Sequence, residues 1–407
     1  MLGVLAAPLL VLSTPAATPA AADEAPDQCT FPDKPYAGRP WSLQRVLLDE
    51  AWKQSTGKGV RVAVIDTGVD VKNRQLAKAV DVRSGRNFMR KNLKDENGNK
   101  IERGKENGTS DSVGHGTKVA GIIAARPMKG TGFVGLAPEA TVIPIQQNDA
   151  EGHGTTETLA AAIRYAAGPA RADVINISQD TANAVEPTSE LKQAVNEALA
   201  KKVVVVASAG NDGLGGNVKD TYPASYEGVL AVAASDRNNE RAAFSQSSES
   251  VDVAAPGVDM ISTVPGGGHC SDNGTSFSAP YVTGVAALLK EKQPTWTPRQ
   301  INAQIMQTAE RATSGHDRLV GWGVVDPVRA LAEADEPIEQ PVPGNDSAEK
   351  AKPPSAVALP LGETAQERAS RLGAYVVVGS SVLVAIIAGG AVAIRDARRR
   401  AKRKAGT

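Results

Sequence analysis

Three residues far apart in the chain carry side chains that, brought together, would do acyl-transfer chemistry. Asp66 ends an apolar run in Val-Ile-Asp-Thr-Gly, His115 stands in Gly-His-Gly-Thr, and Ser276 stands in Gly-Thr-Ser-Phe-Ser-Ala-Pro. Taken singly, each has an ordinary explanation: a turn carboxylate, a histidine in a glycine-rich loop, a serine capping a helix. Taken together they complement one another. A serine hydroxyl is inert near neutral pH unless an imidazole takes its proton, and the imidazole needs a carboxylate to fix its tautomer and stabilise its charged form. Asn211, in Ser-Ala-Gly-Asn, adds an amide that could donate to the oxyanion formed on the substrate carbonyl.

The elements around these residues must deliver them to one place. Val60–Ile65, Val203–Ala207 and Val229–Ala233 are short, β-branched, nearly continuous apolar runs, the pattern of strands buried on both faces. Helical patterns lie between them at 118–125, 158–167 and 190–200, and a further apolar helix is expected from Ser276 to about Lys290, with Pro280 tolerable only in its first turn. The alternation predicts an α/β domain with a mostly parallel sheet. In such sheets chemistry collects where strands end and helices begin, and Asp66, His115, Asn211 and Ser276 all fall at such junctions.

The four motifs, in the order Asp, His, Asn, Ser, resemble the signatures of the subtilases and cover roughly residues 55–334. The resemblance implies a three-layer subtilisin-like domain with Ser276 as nucleophile, His115 as general base and acid, Asp66 as its orienter and Asn211 as oxyanion donor. It also implies that an extended substrate lies between two strand edges, one near Gly152 and Gly154, the other following Val174 to Ser178. There the chain departs from the usual pattern, with Gln179 and Asp180 in place of a small residue and glycine, so Asp180 could narrow the first pocket or favour a basic residue. The closing Gly-Trp-Gly-Val-Val-Asp-Pro segment (321–327), Pro-rich stalk, apolar helix and basic tail are similar to those of the mycosins, membrane-anchored subtilases of type VII secretion.

Four further features bear on the site. His153, in a second Gly-His-Gly-Thr, rivals His115, but the Val-Ala-Gly continuation favours His115. His269 and His316, in glycine-containing loops, read as solvated. Cys29 and Cys270 are the chain's two cysteines; outside the cell they would form a disulfide fastening the N-terminal extension near Ser276. On the chain-entropy argument that bridge contributes about 5 kcal/mol. Asp95, Asn97, Asn99 and Glu106 mimic a calcium-loop spacing, but Lys100 replaces the required glycine, so the segment reads as a solvated insertion; no cofactor is expected, and a structural calcium, which some subtilases bind, is supported by no motif.

Composition bounds the rest. Forty-five basic and 45 acidic residues balance, which argues against nucleic acid as partner, and 41% hydrophobic content supports a sizeable core. The balance hides a basic C-terminal tail, residues 395–407, after 21 uncharged residues, 374–394. At about 1.5 Å per residue that run reaches about 31 Å, enough to span a bilayer. Residues 1–22 read as a signal peptide, 23–54 as an extension too short for a separate inhibitory prodomain, 335–373 as a Pro-rich linker. With the resemblance to the subtilases and mycosins, which alone implies the activity and the partner, the expected protein is a single-pass cell-membrane serine endopeptidase with its domain outside, acting on a protein or peptide and partnered with a type VII secretion complex. Two alternatives are a structural subunit whose cleavage is dispensable, and a general degradative protease.

Overall fold

The computed structural model describes residues 29–91, 94, 103–149, 154–179, 189–215, 220–311, 313–344 and 365–404. Two short helices, α1 (Trp41–Gln44) and α2 (Leu48–Trp52), precede β1 (Arg61–Asp66) and β2 (Arg86–Asn87). Then come α3 (His115–Ala124), β3 (Thr141–Gln146), α4 (Thr156–Ala167), β4 (Val174–Ile177), α5 (Glu190–Ala200), β5 (Val204–Ser208), β6 (Leu230–Ser235) and β7 (Val253–Pro256). A hairpin of β8 (Met260–Thr263) and β9 (His269–Asp272) leads into α6 (Thr275–Lys292), α7 (Pro298–Thr308) and α8 (Pro327–Ala332).

Seven strands pair in parallel in the order β2-β3-β1-β4-β5-β6-β7. The buried runs explain why both faces need cover. In β1, Val62 and Val64 join the core beneath α3 and α6, while Ala63 and Ile65, pointing the other way, join the core beneath α4 and α5. The same split separates Val204 and Val206 from Val205 and Ala207 in β5. The expected three layers are present. Because the chain leaves β1 for β3 on one side and returns to β4 on the other, a crevice opens at the carboxyl end of β1, where Asp66 sits.

Helix ends are fixed by local chemistry. Thr155 caps α4 reciprocally with Thr158, and Thr297 does the same for α7 with Gln300, with Pro298 starting the helix. The expectation for Pro280 needs correction. It lies at the sixth position of α6, in the second turn, and the helix runs on to Lys292. Lacking an N–H, Pro280 cannot bond the carbonyl of Ser276 four residues back.

The extension joins the same core. Trp52 donates its indole N–H to the Leu136 carbonyl at 2.9 Å, and just past the extension Ser55 donates to the Leu288 carbonyl at 2.7 Å. Cys29 and Cys270 form the expected disulfide, closing a span of 241 residues. The backbone N–H of Asp33 bonds the Gly267 carbonyl and that of His269 bonds the Lys34 carbonyl, so the strap from 29 to 40 follows the β8–β9 turn.

His269 is not solvated as the glycines around it suggested; it is 5% exposed. One ring nitrogen, Nδ1, accepts from the Tyr36 N–H at 3.0 Å, and Nε2 lies 2.7 Å from Gln75 Oε1, so the ring is neutral with its proton on Nε2. Burial pushes its pKa down to about 4, against the pull of Asp33. The physical reason is the strap itself, which covers a turn that the sequence left open. His316 is half-buried, with Nε2 2.6 Å from the Val251 carbonyl.

Residues 345–407 form a separate unit, described from 365 onward as a single helix, α9 (Ala365–Lys404). Its segment 368–400 is long and apolar enough to cross a membrane.

Candidate active site

Asp66 is 1% exposed at the end of β1, and its Oδ1 accepts from the Thr67 N–H and from His115 Nδ1, both at 2.7 Å. Its Oδ2 is buried with no hydrogen-bond partner among the described residues. The carboxylate therefore places the imidazole proton on Nδ1 and leaves Nε2 able to take another. His115 is the first residue of α3, while 28% of its side chain remains exposed. Burial disfavours its charged form, but the charge and hydrogen bond of Asp66, with Asp111 and Asp272 behind them, outweigh that and hold its pKa above the ordinary 6.5.

A residue that the sequence analysis passed over organises this half of the site. Asp111, 7% exposed, accepts five hydrogen bonds. One oxygen takes the Thr67 hydroxyl at 2.9 Å and the N–H groups of Val113 and Gly114; the other takes the Thr117 N–H at 2.9 Å and its hydroxyl at 2.6 Å. It thus ties the residue after Asp66 to the two sides of His115. Burial pushes Asp111 above the usual carboxylate value despite these bonds, and the Asp66 charge adds to the rise. In the sequence its one sign was proximity, four residues before His115.

Gly114, just before His115, has φ of 85°, and a Cβ there would meet the Phe31 ring at 2.6 Å. The strap therefore reaches the start of α3, a contact across 83 positions that no local pattern reveals.

Ser276 is the second residue of α6 and is 8% exposed. Gly274 before it adopts φ of 153°, and a Cβ there would lie 2.9 Å from Ser276 Oγ and 3.6 Å from Asn211 Nδ2, so the missing side chain leaves room shared by hydroxyl and amide. Asn211 is oriented by Thr275, whose N–H and hydroxyl donate to Asn211 Oδ1 at 2.9 and 3.0 Å, leaving Nδ2 as the free donor end. Thr275 too escaped the sequence reading. Among the described residues no hydrogen bond joins Ser276 to His115; their elements meet through Phe277, whose ring centroid is 5.3 Å from the imidazole. In free enzymes catalytic hydrogen bonds are often long or poorly aligned and form only once substrate is bound.

The family profile of the subtilases matches residues 57–323. The chain belongs to the subtilase family. Subtilisin Savinase of Lederbergia lenta is 38% identical over 288 residues, 70% of this chain and 96% of that protein. Thermitase of Thermoactinomyces vulgaris is 37% identical over 281 residues, 69% and 92%. Among solved structures, MycP1 with its N-terminal propeptide removed is 35% identical with a TM-score of 0.61, covering 72% of this chain and 96% of that one. The MycP3 protease of the type VII (ESX-3) secretion system is 32% identical with a TM-score of 0.63, covering 74% and 90%. This subtilase is a serine endopeptidase with mycosin structural neighbours.

The substrate-binding expectations meet the structure unevenly. Ser178 is 3% exposed, and its hydroxyl accepts from Asn176 Nδ2 at 2.8 Å, which fixes its side chain, while the expected pairing with substrate there is through the main chain. The Gly154 N–H donates to Asn148 Oδ1 at 2.9 Å, and a Cβ there would crowd Gln147 Nε2 at 2.6 Å. Gly152, His153 and Asp180 lie outside the described residues, as do Asp95, Asn97 and Asn99 of the calcium-like spacing. Its remaining member, Glu106, pairs with Arg103 at 2.5 Å.

Proposed function

We propose that this subtilase is a mycosin, held in the cytoplasmic membrane by residues 374–394 and cleaving a protein or peptide outside it as part of a type VII secretion complex. The observation that carries the catalytic half is the 2.7 Å contact between buried Asp66 and His115 Nδ1 beside a serine at a helix start. The assignment to secretion rests on the MycP1 and MycP3 neighbours, together with the apolar helix and the basic tail that would stay inside.

In this reading His115 Nε2 takes the Ser276 proton as Oγ attacks the scissile carbonyl, Asn211 Nδ2 donates to the oxyanion, and His115 returns the proton to the leaving amine. Asp66 stabilises the imidazolium formed in between. The substrate backbone pairs with the edges near Gly152 to Gly154 and after Val174 to Ser178, Asp180 shapes the first pocket, and no metal or cofactor takes part.

The test compares peptides secreted by cells carrying the native chain, Ser276→Ala, or a deletion of residues 374–394. Export or processing lost with Ser276→Ala supports the proposal. Export kept with Ser276→Ala but lost on the deletion makes the chain a structural subunit instead, and unselective casein digestion by the native chain makes it a degradative protease.

A further inference from the structure

Phe31 of the strap stands over Gly114, one residue before His115, and the same ring walls a cavity of about 370 Å³. The cavity therefore opens next to the start of α3. Its walls are fixed. Phe31 and Pro32 belong to the strap that the Cys29–Cys270 disulfide ties down, and Pro265 and Gly266 belong to the β8–β9 turn, where the Gly266 N–H donates to Asp70 Oδ2 at 2.6 Å. The polar side chains around it are one-sided. Two acids line the cavity, Asp70 and Asp111, and both are buried and engaged: Asp70 accepts from the N–H groups of Lys72 and Gly266, and Asp111 accepts its five hydrogen bonds. Lys72 and Lys105, exposed on the rim, have no ion-pair or hydrogen-bond partner for their ammonium groups among the described residues. Glu106, the acid beside Lys105 in the chain, is paired with Arg103. The Ser110 hydroxyl accepts from the Lys105 N–H at 2.7 Å, which leaves its own proton to donate.

We propose that this cavity is an exosite for an acidic side chain, Glu or Asp, of the polypeptide being cleaved, held by Lys72 and Lys105. The side chains left to bind a ligand are donors, two of them charged, and such a set takes an acceptor anion. The phenyl ring and the two prolines beside them suit the methylenes that carry a carboxylate. Position favours the substrate itself over a separate partner. Phe31 joins the cavity to Gly114, so a chain lying extended across His115 reaches it within a few residues; in this the exosite rests on the Ser276–His115 reading. Each exposed ammonium contributes modestly by itself, because solvent screens it, and two that converge on one carboxylate make the preference measurable.

The test uses the full chain in detergent micelles on a denatured cell proteome, with the new peptide ends identified by mass spectrometry. Native protein should cleave sites with Glu or Asp at one fixed position near the scissile bond about fivefold more often than matching sites with Gln or Asn there. Lys72→Met together with Lys105→Met should abolish that preference, Lys72→Arg with Lys105→Arg should keep it, and about 0.5 M salt should weaken it. No acidic preference in the native protein, or one that survives the paired Lys→Met substitution, overturns the inference. A second measurement needs no cleavage: triglutamate, but not triglutamine, should slow the acetic anhydride labelling of Lys72 and Lys105 severalfold, and equal labelling with the two peptides overturns the inference. A chain that triglutamate protects but that cuts nothing counts against the Ser276–His115 reading and upholds the exosite.

Discussion

The two halves of the site are built on opposite plans. Around Asp66 and His115 the orienting atoms are engaged, with Asp111 alone accepting five hydrogen bonds, although Asp66 Oδ2 has no partner among the described residues. Around Ser276 and Asn211 the chain uses glycine, positive φ and a single threonine, and the Ser276 hydroxyl makes no hydrogen bond among the described residues. The base must keep one tautomer and one orientation through the whole reaction, so rigidity favours it. The nucleophile and oxyanion donor must accommodate a carbonyl that is absent from the free protein, so they need space with a fixed rim.

The largest effect expected from this contrast comes from Asp66→Asn. It keeps the shape of the base half but permits the wrong imidazole tautomer, and turnover on a peptide substrate should fall by about 10⁴. A change below tenfold would mean that the buried carboxylate is structural.

On the other half, Asn211→Ala should lower kcat by about 10² to 10³ with little change in KM, a magnitude known from a subtilisin rather than derived from this geometry. Equal losses in kcat and in ground-state binding would assign Asn211 to substrate holding.

Asp111→Asn sharpens the comparison, since it touches no reacting atom. It removes a buried charge but leaves donors of Thr67, Gly114 and Thr117 poorly matched, so stability should fall by about 1–3 kcal/mol and kcat by about tenfold. Thermal melting paired with kinetics reads both. Unchanged kcat in the folded variant would confine Asp111 to stability.

The smallest effect is the pH response. With the His115 pKa raised, the imidazole loses its proton only above the ordinary 6.5, so kcat/KM should fall about tenfold per pH unit below that raised value. Stability runs the other way. The folded chain binds this proton more tightly than the unfolded one, so the contribution is complete below about 6.5 and disappears as pH rises through the folded value. Urea melts across that window, in native protein and in His115→Gln, isolate it.

The strap shows where reading the sequence reached its limit. Cys29 and Cys270 announced a bridge through residue type alone, yet nothing nearby told that Phe31 would cover Gly114 or that the Tyr36 N–H would bond His269. Ser178 met a similar limit: its position after a strand was legible, whereas its engagement with Asn176 depends on which way a strand side chain faces once helices cover the sheet.

The sequence by itself pointed to the parallel α/β architecture and named the four candidate residues, because strand runs, glycines and reactive side chains are properties of short segments, while α3 and α4 start two or three residues before the positions their patterns suggested. Only the tertiary structure decided that Asp111 binds both sides of His115, that Thr275 turns the Asn211 amide, and that Lys118 meets Asp272. Those are contacts between segments as much as 154 residues apart, and hydrogen bonds exist only once the backbone has brought donor within about 3 Å of acceptor.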